Sequence, residues 1–196
     1  MGARLFHSAW RLPDWSAKEK EPLAIARPLD NPLLNDYIMG LRQRRGLKIL
    51  YKKGMTEDAT EALNAGRIVG FIADQDAGRR GFFVDFFGRK CSAYKSIAYL
   101  ALELNVRIYV GGAFRTGDKF HYRIVQGDVI DPADYPKTLD GAEAITQRYT
   151  AGIEKVVRMA PEQYLWVHRR WKTRPPEERK AAKAAAEDSA AEERPR

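Results

Sequence analysis

The residues best suited to chemistry stand together between Asp74 and Lys90, in the run DQDAGRRGFFVDFFGRK. Asp74, Gln75 and Asp76 follow a buried-looking strand that begins at Ile68, and Gly78, Arg79, Arg80 and Gly81 come next. Then come Phe82, Phe83, Phe86 and Phe87, broken by Asp85, and the run closes on Gly88, Arg89 and Lys90. Acids and guanidinium groups at a strand end can hold an anionic head, and exposed aromatics beside them can hold an apolar tail. That combination suits an amphiphilic ligand, and open α/β sheets bind ligands outside the carboxyl ends of their strands. The alternative is a long surface loop with a hydrophobic plug. Arg27 is a second cation of interest, because it stands at a strand end just before a helix start, a good place for an anion. A plain surface arginine is the other reading of it.

Other chemistries lack their residues. His7, His121 and His168 are widely spaced, and Cys91 is the one cysteine, so no metal-ligand spacing exists and neither a metal nor a cofactor is expected. Gly78 and Gly81 match neither the Walker nor the dinucleotide spacing. Arginines interleaved with aromatics could meet nucleic acid. However, the aromatics are phenylalanine doublets, which look more like a wall for an aliphatic chain than a stacking platform, and no nucleic-acid motif is present. A basic nucleic-acid-binding domain is therefore the weaker alternative.

The elements that must position these groups alternate. Leu23 to Ala26 reads as a short strand, and Asn31 caps a helix with Pro32 at its first position and Gly46 at its end. Leu33, Leu34, Tyr37, Ile38 and Leu41 form the apolar face of that helix. Leu47 to Tyr51 is a strand, Thr56 to Asn64 a helix, and Ile68 to Asp74 the third strand. Strand and helix alternating in this way predict an α/β fold with a mainly parallel sheet covered by helices. After the central loop, Ser92 caps a helix from Ala93 to about Leu104, residues 107–125 read as an antiparallel hairpin, a helix runs from about Leu139 to Met159, and Pro161 opens a further short helix. Residues 1–21 are irregular, 22–174 form the α/β domain, and 175–196 are a charged Ala/Glu/Lys/Arg tail, either a solvated helix or disordered.

Composition bounds the partners. The 196 residues carry a net charge of +8 and are 44% hydrophobic, enough for one domain with a core. The tail holds five basic and six acidic residues, so the positive charge belongs to the body. It favours nucleic acid, a phosphorylated substrate or an acidic membrane surface. A single cysteine suits the cytosol or the cytosolic face of a membrane. No stretch reaches the roughly 18 apolar residues needed to span a bilayer, so membrane contact by this chain would be peripheral.

Three blocks, IARPLDNPLLNDYIMGLRQRRG, ADQDAGRRGFFVDFFGRK and PEQYLWVHRRWKTRP, resemble in order and spacing the lipid A late acyltransferases of the lauroyl and myristoyl type, within the lysophospholipid acyltransferase superfamily. The resemblance covers about Pro22 to Pro175. It implies the superfamily's αβα sandwich and acyl transfer from acyl carrier protein to a hydroxyl of a phosphorylated glucosamine-disaccharide lipid A precursor, without a metal. It places the site at the cytosolic face of the bacterial inner membrane, beside anionic lipid. By the same resemblance Arg27 holds a phosphate or the acceptor sugar. Asp74 and Gln75 shape the pocket floor, Gly78 and Gly88 let the loop turn, and Phe86 and Phe87 line the acyl groove or its membrane-facing mouth. Arg115 ends a strand on the substrate side. Tyr164, Trp166 and Trp171 pack the last helix onto the sheet, while Arg169 and Arg170 touch anionic lipid.

The family's general base is a His whose imidazole is oriented by an acid five positions on. Here those positions are Leu12 after His7, Gln126 after His121 and Thr173 after His168. His7 is the one candidate before Pro22, with Asp14 seven residues beyond it, and the catalytic residues stay unassigned. The family's N-terminal membrane anchor is also missing from residues 1–21. The expectation is a chain matching about the C-terminal two-thirds of such an enzyme, a truncated gene, a mis-called start or a degenerate paralogue, inactive as given. The alternative is a non-catalytic lipid- or phosphosugar-binding remnant. A sheet without its first strand and helix would leave an edge and an apolar face exposed.

Overall fold

The computed structural model describes residues 7–9, 22–26, 29–44, 47–51, 55–119 and 121–192. In chain order the elements are β1 (His7–Ala9), β2 (Leu23–Ala26), α1 (Pro32–Gln43), β3 (Lys48–Tyr51), α2 (Met55–Asn64), β4 (Val69–Phe71), β5 (Phe82–Phe86), β6 (Arg89–Ala93), α3 (Lys95–Leu104), β7 (Ile108–Thr116), β8 (His121–Ile130), α4 (Leu139–Met159) and α5 (Pro176–Glu192). Six strands form one sheet in the order β3-β2-β4-β1-β7-β8, and β5 and β6 form a separate hairpin.

The sheet is mixed, which corrects the expectation of a mainly parallel one. Among the described residues β2 pairs parallel with β3 and β4, but β1 runs antiparallel to both β4 and β7, and β7 antiparallel to β8. The cause is β1. Three residues of the stretch read as irregular slot into the middle of the sheet, too few to leave a periodic signal.

The core gathers around α4. Thr138 caps it, its hydroxyl accepting from the Gly141 amide at 3.3 Å, with Asp140 in the first turn and Arg158 in the last. Ile145, Tyr149, Ile153, Val156 and Val157 recur at helical spacing and are all buried. They pack on β7, β8, α3 and the β5–β6 hairpin. Helix and strand approach closely where glycine faces glycine: a Cβ on Gly127 would lie 2.4 Å from the Gly152 carbonyl oxygen.

Helix α1 forms as expected, with Asn31 Oδ1 accepting from the Leu34 amide at 3.1 Å and Pro32 at its start. Its packing is unexpected. Met39 is its buried residue, whereas Leu33, Leu34, Tyr37 and Leu41 are exposed, Leu33 by 81%. The apolar stripe faces solvent. Helix α3 starts two residues later than its serine suggested. Ser92 sits in β6 opposite Phe83, and its hydroxyl donates to the Gly78 carbonyl oxygen at 2.5 Å, so Tyr94 takes the cap position instead.

Residues 161–175 contain a single 3₁₀ turn, Pro161–Gln163, and otherwise irregular chain, not the expected short helix. From Pro176 the tail is helical through Glu192, with exposed side chains from Glu177 to Ala182.

Candidate functional site

The sheet lines up several loop ends at one edge. Phe71 of β4 and Val110 of β7 are both level with His7 of β1, and β4 and β7 run in the same direction. Asp74 is three residues past Phe71 and Arg115 five past Val110, so both lie beyond the same carboxyl edge. The parallel pairing of β2 and β3 with β4 delivers their carboxyl ends to that edge too. Arg27 follows β2 directly in sequence, but it lies outside the described residues.

Residues 163–174 strap this edge together. The side-chain amide of Gln163 accepts from the Arg115 backbone amide at 2.9 Å and donates to the Arg115 carbonyl oxygen at 3.1 Å. The next residue, Tyr164, donates its hydroxyl to the Asp74 carbonyl oxygen at 3.3 Å. The Asp76 amide donates to His168 Nε2 at 3.3 Å, and Thr173 Oγ1 donates to the Asp76 carboxylate at 2.8 Å. Arg170 Nη1 donates to the carbonyl oxygens of Gln75 and Ser92, tying the loop to the hairpin. One short stretch thus fixes the end of β4, residues 74–76 of the loop that follows it and Arg115 near the end of β7, while Ser92 of β6 holds Ala77 and Gly78.

Arg170 is 1% exposed, so it cannot reach lipid, and that expectation is corrected. Its guanidinium lies 5.6 Å from the Phe86 ring centre, and its Nε and Nη2 find no partner among the described residues. Burial pushes the Tyr164 hydroxyl well above its ordinary range, reinforced by the nearby Asp74 charge and opposed by Arg170. Burial likewise raises the thiol of Cys91, with Arg170 again opposing it.

The sequence-derived site residues divide. Asp74 is buried, with its backbone held by Tyr164, whereas Gln75, Arg79 and Arg80 present exposed side chains from the same loop. Gly78 takes φ +73°, a conformation open to glycine, where the loop turns. Phe86 has no exposed surface. It packs against Phe87, Tyr164 and Trp171, in the core rather than on an apolar lip. Phe87 and Gly88, at φ +54° and +71°, make the two-residue turn of the β5–β6 hairpin, and two positive φ values match the twist of the strands. A phenylalanine there is strained. It is held by its amide donating to Glu154 at 2.6 Å and by its ring lying under Arg158 and against Trp166. The Arg115 guanidinium folds back onto the carbonyl oxygens of Asp118 and Lys119 in its own hairpin turn.

None of the described histidine side chains is placed as a base. His168 Nε2 spends its lone pair on the Asp76 amide. His121 is exposed at the start of β8, level with Thr116 across the hairpin. His7 is described as backbone within β1. Among the described residues no group of three or more His, Cys, Asp or Glu side chains stands close enough to hold a metal ion. What the edge offers is an exposed amide and two exposed guanidinium groups on a tightly held loop, an arrangement that can bind an anion.

Sequence reasoning missed the strap. It read residues 161–172 as a packing helix, whereas Gln163, His168, Arg170 and Thr173 work through hydrogen bonds to groups far away in sequence. The signal that was present is the density of polar and cationic residues among the aromatics there, more than a buried helix needs.

Comparison with known proteins gives a consistent result. The family model described as "Bacterial lipid A biosynthesis acyltransferase" matches residues 9–173. A lipid A biosynthesis lauroyltransferase of Escherichia coli (strain K12) is 30% identical over 159 residues, 80% of this chain and 50% of the relative. A lipid A biosynthesis palmitoleoyltransferase of the same organism is 32% identical over 155 residues, 78% of this chain and 49% of the relative. A lipid A biosynthesis acyltransferase of Haemophilus influenzae is 28% identical over 158 residues, 79% of this chain and 49% of the relative. The chain spans about half the length of the curated relatives it matches.

Proposed function

The chain belongs to the bacterial lipid A biosynthesis acyltransferase family, and from that premise we propose that it supplies the acceptor-binding part of an acyl transfer from acyl carrier protein to a hydroxyl of a phosphorylated glucosamine-disaccharide lipid. The observation that carries this reading is the strapped carboxyl edge, where Gln75, Arg79 and Arg80 stand exposed on a loop fixed by Tyr164, His168, Arg170 and Thr173. A rigid loop presenting guanidinium groups loses little entropy on binding a phosphate. In this reading the chain works at the cytosolic face of the inner membrane, where such a lipid is presented, with Arg27 adding a further cation. In this reading the chain by itself does not catalyse the transfer, a view supported by the lack of an acid five positions after any histidine and by the bond from the Asp76 amide to His168 Nε2.

The test uses the 196-residue chain with a radiolabelled acyl carrier protein donor and the purified precursor. The expected outcome is binding of the phosphorylated lipid that weakens about tenfold when Arg79 and Arg80 are both replaced by alanine, at no loss of folding, with no product. Turnover that His7→Ala abolishes overturns the non-catalytic part. Equal affinity for phosphorylated and dephosphorylated lipid overturns the acceptor site.

A further inference from the structure

The strap presents one more feature outward. Between Tyr164 and His168 the chain turns, and Leu165, Trp166 and Val167 project from it, three consecutive apolar residues exposed by 44%, 48% and 83%. Met159, at the end of α4, is also exposed. Such a run on a surface is a defect unless something apolar receives it.

The turn is not loose. The Trp166 amide donates to the Tyr164 carbonyl oxygen at 2.9 Å and the His168 amide to that of Leu165 at 3.0 Å. The indole Nε1–H donates to the Pro161 carbonyl oxygen at 2.7 Å. The indole also packs on Tyr164 and Phe87. Three donors at the tip, the Trp166 and His168 amides and the indole N–H, are therefore satisfied from within. That matters most in a medium that offers no hydrogen bonds of its own.

Charge surrounds the tip. Arg169 and Lys172 are exposed beside it, whereas Arg170 is buried and Arg158 and Arg174 pair with Glu154 and Glu178. Arg158 also covers the Phe87 ring at 4.6 Å. Tryptophan with flanking cations is the combination that sits at the headgroup level of an anionic membrane. A second copy of the chain is a poorer occupant. A convex tip of three or four side chains falls far short of the roughly 20–30 residues a side that a stable dimer uses.

We propose that the Leu165–Val167 turn is an interfacial membrane-docking tip, which inserts among anionic lipids and so brings the strapped carboxyl edge to the membrane surface. This rests on the membrane-side placement proposed above and names the surface that makes it. Vesicle binding is read without acceptor or turnover, so failure here and failure of the acceptor site are separate results.

The experiment is cosedimentation of the 196-residue chain with phosphatidylcholine vesicles, with and without about a third phosphatidylglycerol. The expected result is binding that depends on the anionic lipid. Val167→Asp should weaken it about tenfold and Arg169→Glu by a similar factor, with unfolding midpoints unchanged. Val167 was chosen because its exposed side chain can change without touching the core. Vesicle binding indifferent to both substitutions overturns the proposal. So does absence of binding to either vesicle, self-association in sedimentation velocity that Val167→Asp abolishes, or salt-sensitive binding to RNA in place of lipid.

Discussion

Two aromatic segments meet at this edge, and they exchange the roles their sequences suggest. The hairpin β5–β6 carries FFVDFF, a greasy run beside glycines and arginines, and it reads as an exposed lip. The turn at Leu165–Val167 lies in YLWVHRRW, which reads as the packing face of a helix. In the structure Phe86 is fully buried, whereas Val167 and Trp166 stand in solvent. The difference lies in what each segment can pair with. The hairpin closes five residue pairs across its strands and lays Phe86 and Val84 inward. Beyond an isolated bridge at Tyr164 the 164–168 segment forms neither ladder nor helix, so nothing in the backbone after Tyr164 turns its side chains inward. Aromatic density marks where apolar contact is made, but not on which side of the surface.

That contrast is open to direct attack. Phe86→Ala should cost about 3–5 kcal/mol in denaturant unfolding, the cost of an emptied aromatic core site, against less than about 0.5 kcal/mol for Val167→Ser. Equal costs for the two would erase the distinction.

Arg170→Ala should rank next. It takes a charged donor from the Gln75 carbonyl oxygen and leaves that of Ser92 with the Ala77 amide, at about 1–3 kcal/mol. Hydrogen exchange should show the loop at 74–78 opening while α4 stays protected. Uniform loss of protection would make Arg170 a general core residue and not a clamp on that loop.

The smallest effect near neutrality is linked to protons. Burial raises the Cys91 thiol and the Tyr149 and Tyr164 hydroxyls above their ordinary values of 9.0 and 10.0. The folded state then holds these protons longer than the unfolded chain does. Their contribution is complete below about pH 9 and is lost as pH rises through the thiol and then the tyrosine range. Unfolding midpoints should be flat from pH 7 to about 9 and fall beyond it. Tyr164→Phe should soften the fall, because one of the groups whose proton burial retains is gone, Tyr94 being a further one. A midpoint independent of pH up to 11 would contradict the burial of the strap's root.

A similar contrast separates α1 from α4. Both carry apolar residues at helical spacing, and both have the caps their sequences call for. Helix α4 lies on the sheet and buries its stripe, whereas α1 packs through Met39 and turns Leu33, Leu34, Tyr37 and Leu41 outward. Periodicity reports that a face exists. Whether anything covers it is a matter of the surroundings, which the period does not encode. The same limit explains the mixed sheet. Residues 7–9 are too short to show alternation, yet their insertion between β4 and β7 reverses the direction of pairing at the centre.

Local structure that local chemistry controls was legible in the residues alone. Asn31-Pro32 starts α1, a helix runs from about Leu139 to Met159, and the β7–β8 hairpin and the strands at Leu23–Ala26 and Lys48–Tyr51 follow from caps, turns and patterns within a few residues of each other. The sequence also carried the three blocks that identify the family. Only the tertiary structure decided which aromatic is core and which is surface, that His168 gives its lone pair to the Asp76 amide, that Arg170 is sealed inside, and that Gln163 and Tyr164 join the ends of two distant strands. Those outcomes depend on groups 48 to 95 residues apart in the chain coming within hydrogen-bonding distance. A side chain's role there is set by the partner the fold delivers, and no property of the residue or its neighbours in sequence specifies that partner.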